Sequence, residues 1–100
     1  MLKIDAKIRF TVEGKTYKAH DRFDMAFRFA EGLLFSGRIK SSGTEYLCNK
    51  EYDVEIDFFT IDTQEAYKMV EHTLQKDARF VVCIGKKIVG DAKMVNFSYE

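Results

Sequence analysis

The chain has no proline, only two cysteines, and no excess of either charge over its 100 residues. Without proline there is no proline-rich linker, and no low-complexity stretch or internal repeat divides the chain. A length of 100 residues suits one domain and is too short for two independent cores. Cys48 and Cys83 lie 35 positions apart, outside any CxxC motif and with no nearby histidine pair. That spacing excludes the common zinc patterns and leaves two free thiols as the expectation. Sixteen basic residues balance sixteen acidic ones. Lys86-Lys87 is the only adjacent basic pair. This balance disfavours binding to nucleic acid or an anionic membrane by counterion release. No hydrophobic run approaches the ~18 residues of a membrane span, and the opening Met1-Leu2-Lys3-Ile4-Asp5 lacks the apolar core of a signal peptide. The cytoplasm is the default compartment.

Aromatic residues make up 14% of the chain, which favours pleated, half-buried surfaces. Leu2, Ile4, Ala6, Ile8, Phe10 and Val12 alternate with Lys3, Asp5, Lys7, Arg9 and Thr11, the period of a strand with one wet face. Glu13-Gly14-Lys15 turns the chain, and residues 16–19 suit a short strand or loop edge. Phe23, Met25, Phe27 and Phe29 mark a second alternating run. Residues 33–40 form a third, in which Gly37 marks a bulge or corner. Tyr52, Val54, Ile56 and Phe58 define a fourth. The period then changes: Ala66, Met69, Val70 and Leu74 predict an amphipathic helix over residues 63–76, with Asp62 and Glu65 as a capping box. Strands follow at 79–84 and 87–97, joined by a Gly85-Lys86 turn, with Gly90 as a further bulge. The expected fold is all-β: a six-stranded antiparallel, Greek-key-like barrel with one short inserted helix. A barrel this small is filled by its own side chains, so ligands would bind outside it or at its mouth.

No catalytic constellation emerges. Val12-Glu13-Gly14-Lys15-Thr16 resembles the tail of a P-loop, but Arg9 stands where the loop needs glycine and no helix follows. His20 and His72 are the only histidines, and none of Ser36, Ser41, Ser42, Cys48 or Cys83 sits in a nucleophile elbow. His20, Asp21 and Asp24 could form only a loose metal or ligand site. The stripe of Phe23, Phe27 and Phe29 lacks the basic company of a base-stacking platform and reads as core. Asp53, Glu55 and Asp57 share one strand face, where they cannot act as paired carboxylates across a cleft. They suit solvated surface or a dock for a basic partner.

From Phe23 to Val95 the chain resembles the third domain of the elongation factor Tu family. Asp24-Met25-Ala26-Phe27-Arg28-Phe29 and Phe35-Ser36-Gly37-Arg38-Ile39 are similar to that family's aromatic strand and the strand after it. Asn49-Lys50-Glu51-Tyr52-Asp53-Val54-Glu55-Ile56 is similar to its turn and outgoing strand. Arg79-Phe80-Val81-Val82-Cys83-Ile84-Gly85-Lys86-Lys87-Ile88-Val89-Gly90-Asp91-Ala92-Lys93-Met94-Val95 resembles its closing hairpin. The chain departs from the family at the turn around Asn49-Lys50, which lacks the family's proline and glycine, at the helix after Asp62, at Asp91 and at Ala92. The resemblance implies a barrel and a setting in translation, where that family's barrel helps bind aminoacyl-tRNA and contacts the exchange factor. The family's basic contact residues have no counterparts here.

These readings lead to a non-enzymatic barrel without cofactor or metal, binding another protein through Asp53, Glu55 and Asp57 and the outer helix face of Glu65, Lys68, Glu71 and His72. The rivals are a weak RNA or tRNA binder using Lys15, Lys18, Arg22, Arg28, Lys86, Lys87 and Lys93, and a small ligand binder or enzyme around His20. A homo-oligomer paired along an exposed edge such as the first strand stays open.

Overall fold

A computed structural model describes residues 1–14, 17–18, 24–40 and 45–100. Six strands close into an antiparallel barrel: β1 (Leu2–Phe10), β3 (Asp24–Ala30), β4 (Leu33–Ile39), β6 (Glu51–Phe58), β7 (Arg79–Ile84) and β8 (Lys87–Tyr99). Around the ring the order is β1-β6-β4-β3-β7-β8, and β8 returns to β1. Two short strands, β2 (Tyr17–Lys18) and β5 (Glu45–Tyr46), form a separate ribbon. Its tyrosines pack on the end of β1: Tyr17 stacks on Phe10 at 4.7 Å and Tyr46 lies 5.4 Å from it.

Alternation decides which residues fill the barrel. Leu2, Ile4, Ala6, Ile8 and Phe10 are all buried, and so are Val54, Ile56 and Phe58 on β6. Met25, Phe27 and Phe29 are likewise core, which excludes them as an exposed stacking platform. Among the described residues no polar or charged side chain is buried, so the interior is apolar throughout. At Gly37 an added Cβ would lie 2.9 Å from the Phe58 ring, so the missing side chain makes room for Phe58. At Gly90 it would run into the Arg9 carbonyl oxygen, which fixes how closely β8 approaches β1.

The seams of the ring are unequal. β1 is in register with β6 from Leu2↔Phe58 to Arg9↔Glu51 and with β8 from Leu2↔Tyr99 to Phe10↔Gly90. It is therefore a central strand and offers no free edge for pairing between copies. By contrast, β3 and β7 are in register only over Ala26↔Cys83, Phe27↔Val82 and Arg28↔Val81, and β4 meets β6 only at Arg38↔Asp57 and Ile39↔Ile56.

The helix is shorter than its pattern predicts. Helix α1 (Gln64–Val70) passes into a 3-10 turn at Glu71–Thr73. Its cap is Thr63, whose hydroxyl accepts the Ala66 N–H at 3.2 Å. Asp62 is engaged elsewhere, with its carboxylate 2.9 Å from the Met1 amine. The buried side of the helix also differs: Met69 is 53% exposed, whereas Tyr67 turns inward and stacks on Tyr99 at 4.3 Å. Seven residues cannot sustain a helix alone, and this one is held by the packing of Val70, Ala66 and Tyr67.

Candidate functional site

The acidic stripe lies on the outer wall, as alternation requires. Strand register places cations beside it. Lys3 is opposite Asp57, Lys7 opposite Asp53 and Arg9 opposite Glu51. Lys7 Nζ lies 3.8 Å from Glu51 and 3.7 Å from Asp53, Arg9 lies 3.7 Å from Glu51, and Lys40 lies 3.9 Å from Glu55. Such exposed pairs contribute little stability, but they offset part of the stripe's charge. Asp5 faces Glu55 directly, a like-charge pair set within this ladder. One Asp57 oxygen is shielded from solvent without a hydrogen-bond partner among the described residues.

Glu65 and Lys68 are exposed on α1, and Glu71 and His72 are exposed on the 3-10 turn. Among the described residues no ion pair or hydrogen bond ties these four side chains to the acidic stripe. The two halves of the expected surface stand on separate elements. Of the His20, Asp21 and Asp24 cluster, the first two residues lie outside the described residues, as does the Asp24 side chain. Of the expected basic set, Lys15, Arg22 and the Lys18 side chain also lie outside. Lys86 and Lys87 sit at the β7–β8 hairpin, and Arg28 and Lys93 on the wall. Cys83 is buried and Cys48 half-buried, and neither is in a disulfide.

A different feature draws residues together. In the β3–β4 hairpin the register steps from Arg28↔Leu34 to Ala30↔Leu33, leaving Phe29 as an extra residue. Such a bulge bends its strand and raises the local twist. Below it, β3 and β7 are no longer in register, and a groove of about 660 Å³ opens in the wall. Phe29 and Phe80 line it, their rings stacked 5.3 Å apart at 23°. Arg28, Glu31, Arg79 and Asp91 supply the charge, and Ala30 and Val81 the remaining apolar surface. Arg79 lies 3.9 Å from Asp91. No ion pair holds Arg28 among the described residues. Only Arg28 belonged to the expected basic set; the groove as a whole depends on a non-local register that alternation does not encode.

No protein-family profile matches the chain, and no curated protein is similar to it in sequence.

Proposed function

We propose that this chain is a non-enzymatic protein-binding module, an accessory barrel whose working surface is the opening between β3 and β7. The observation that carries the reading is the split wall itself: a barrel packed with its own apolar side chains opens at one bulged seam onto stacked aromatics flanked by arginines. Concave apolar surface with a few placed polar groups is the usual form of a recognition site. The acidic stripe, its charge partly offset by neighbouring cations, is the lesser candidate surface. The resemblance to the third domain of the elongation factor Tu family adds translation as the proposed setting.

The test is photo-crosslinking in extract of the source cells. A benzophenone amino acid replaces Val81 in one variant, Asp53 in a second and Lys68 in a third. The expected result is a discrete protein adduct at Val81 and none at the other two. Equal labelling at all three positions would overturn the assignment. A nuclease-sensitive adduct that disappears as salt rises would replace the reading with RNA binding.

A further inference from the structure

We infer that the partner is an extended protein segment that adds a short strand to β7 in this opening, with a carboxylate seated beside Arg28. The inference rests on the protein-binding reading above and names the partner's chemistry.

The argument starts from hydrogen-bond alternation. On an antiparallel strand, successive residues turn their main-chain groups to opposite neighbours. The Met94 N–H donates to the Ala78 carbonyl at 2.8 Å, so Ala78 faces β8. Counting onward gives Phe80 and Val82 to β8, and Arg79, Val81 and Cys83 to β3. Val81 and Cys83 have Arg28 and Ala26 in register, but no β3 residue is in register with Arg79. The bulge at Phe29 has carried β3 away from it. The wall therefore ends in a main-chain position turned towards the groove, the feature that strand addition uses.

Side chains set the preference. In an added strand, alternate residues point inward and outward. An inward apolar side chain would rest on Phe29 and Phe80, which form the stacked floor. The adjacent outward side chain would stand near Arg28, exposed and without an ion pair among the described residues. The lining carries two arginines and two carboxylates, so its net charge is zero and the attraction is local. Asp91 already lies near Arg79, leaving Arg28 as the cation for a carboxylate from outside.

The probe is the acetylated, amidated hexapeptide Thr-Val-Glu-Val-Thr-Val, titrated against the full chain and followed by amide NMR shifts. Its controls carry Lys in place of Glu, or N-methyl groups on alternate amides. The Glu peptide should bind about tenfold tighter than the Lys peptide, with shifts centred on Ala30, Arg79 and Phe80. Arg28→Glu, an exposed change that leaves the fold intact by circular dichroism, should reverse that preference. N-methylation should weaken binding by about tenfold or more, because it removes main-chain donors. Equal binding of the N-methylated peptide, or shifts confined to the acidic stripe, would overturn the inference. Failure of the Glu peptide to bind at millimolar concentration would also overturn it. Crosslinking at Val81 would still stand in that case, so the two readings fail separately.

Discussion

Replacing Gly90 with alanine adds one methyl group where β8 passes against the main chain of β1. That Cβ would meet the Arg9 carbonyl oxygen, with the Arg9 carbonyl carbon and Phe10 Cα both 3.1 Å away. All three atoms are main chain, so no rotamer change relieves the clash, and β8 must withdraw from β1. Overpacking in a well-filled core costs about 1–3 kcal/mol, occasionally more. A backbone obstacle belongs at the upper end, about 3 kcal/mol. A domain is stable by about 5–15 kcal/mol, so the variant should fold but weakly. With a urea slope of roughly 1.5 kcal/mol per M, the unfolding midpoint should fall by about 2 M. Gly37→Ala is the comparison: its obstacles are the side chains of Phe58 and Ile56 at 2.9–3.0 Å, which can shift. Its cost should be smaller, about 1 kcal/mol. A Gly90→Ala midpoint within about 0.3 M of the parent, or a larger loss at Gly37, would refute the claim that main-chain contact sets the β1–β8 spacing.

Two further predictions follow from local geometry. Thr63→Ala should destabilise by about 1 kcal/mol, because it removes the helix cap, while Asp62→Asn should cost well under that, its ion pair with Met1 being exposed; thermal melts of the two variants would distinguish the caps, and the reverse order would contradict the assignment. Cys48 should react with a thiol reagent in the native protein while Cys83 reacts only as the fold opens, and equal native rates would count against the burial of Cys83.

The strands were legible because their signal is local. The alternation of Leu2 to Phe10 and of Tyr52 to Phe58 fixes strand and facing together, whatever the neighbours are. The helix was legible in position and less so in detail. Its periodicity runs on through Leu74, which is buried beyond the helical turns, and Tyr67 displaced Met69 because Tyr99 offered it a ring to stack on. Asp62 and Thr63 both suit a cap, and the choice fell to the distant Met1 amine, which occupies Asp62. The cations beside the acidic stripe were not legible for the same reason. Asp53, Glu55 and Asp57 form a stripe along their own strand, but Lys3 and Lys7 come from β1 beside it and Lys40 from just past the end of β4. The groove depends on where β3 stops pairing with β7, a property of two segments some fifty residues apart. No single-strand pattern carries it.

The ring order has a consequence for how the protein is made. β1 is the most regular amphipathic strand, and its neighbours are β6 and β8. Leu2 has Phe58 on one side and Tyr99 on the other. A chain synthesised from its N-terminus exposes Leu2, Ile4, Ile8 and Phe10 long before either neighbour exists. The second seam can form only when β8 has emerged. Contacts so distant along the chain impose a large loop-closure cost and slow folding, and an unpaired amphipathic strand invites aggregation meanwhile. β1, so fully enclosed in the finished barrel, is thus the segment that most needs shelter in the nascent chain.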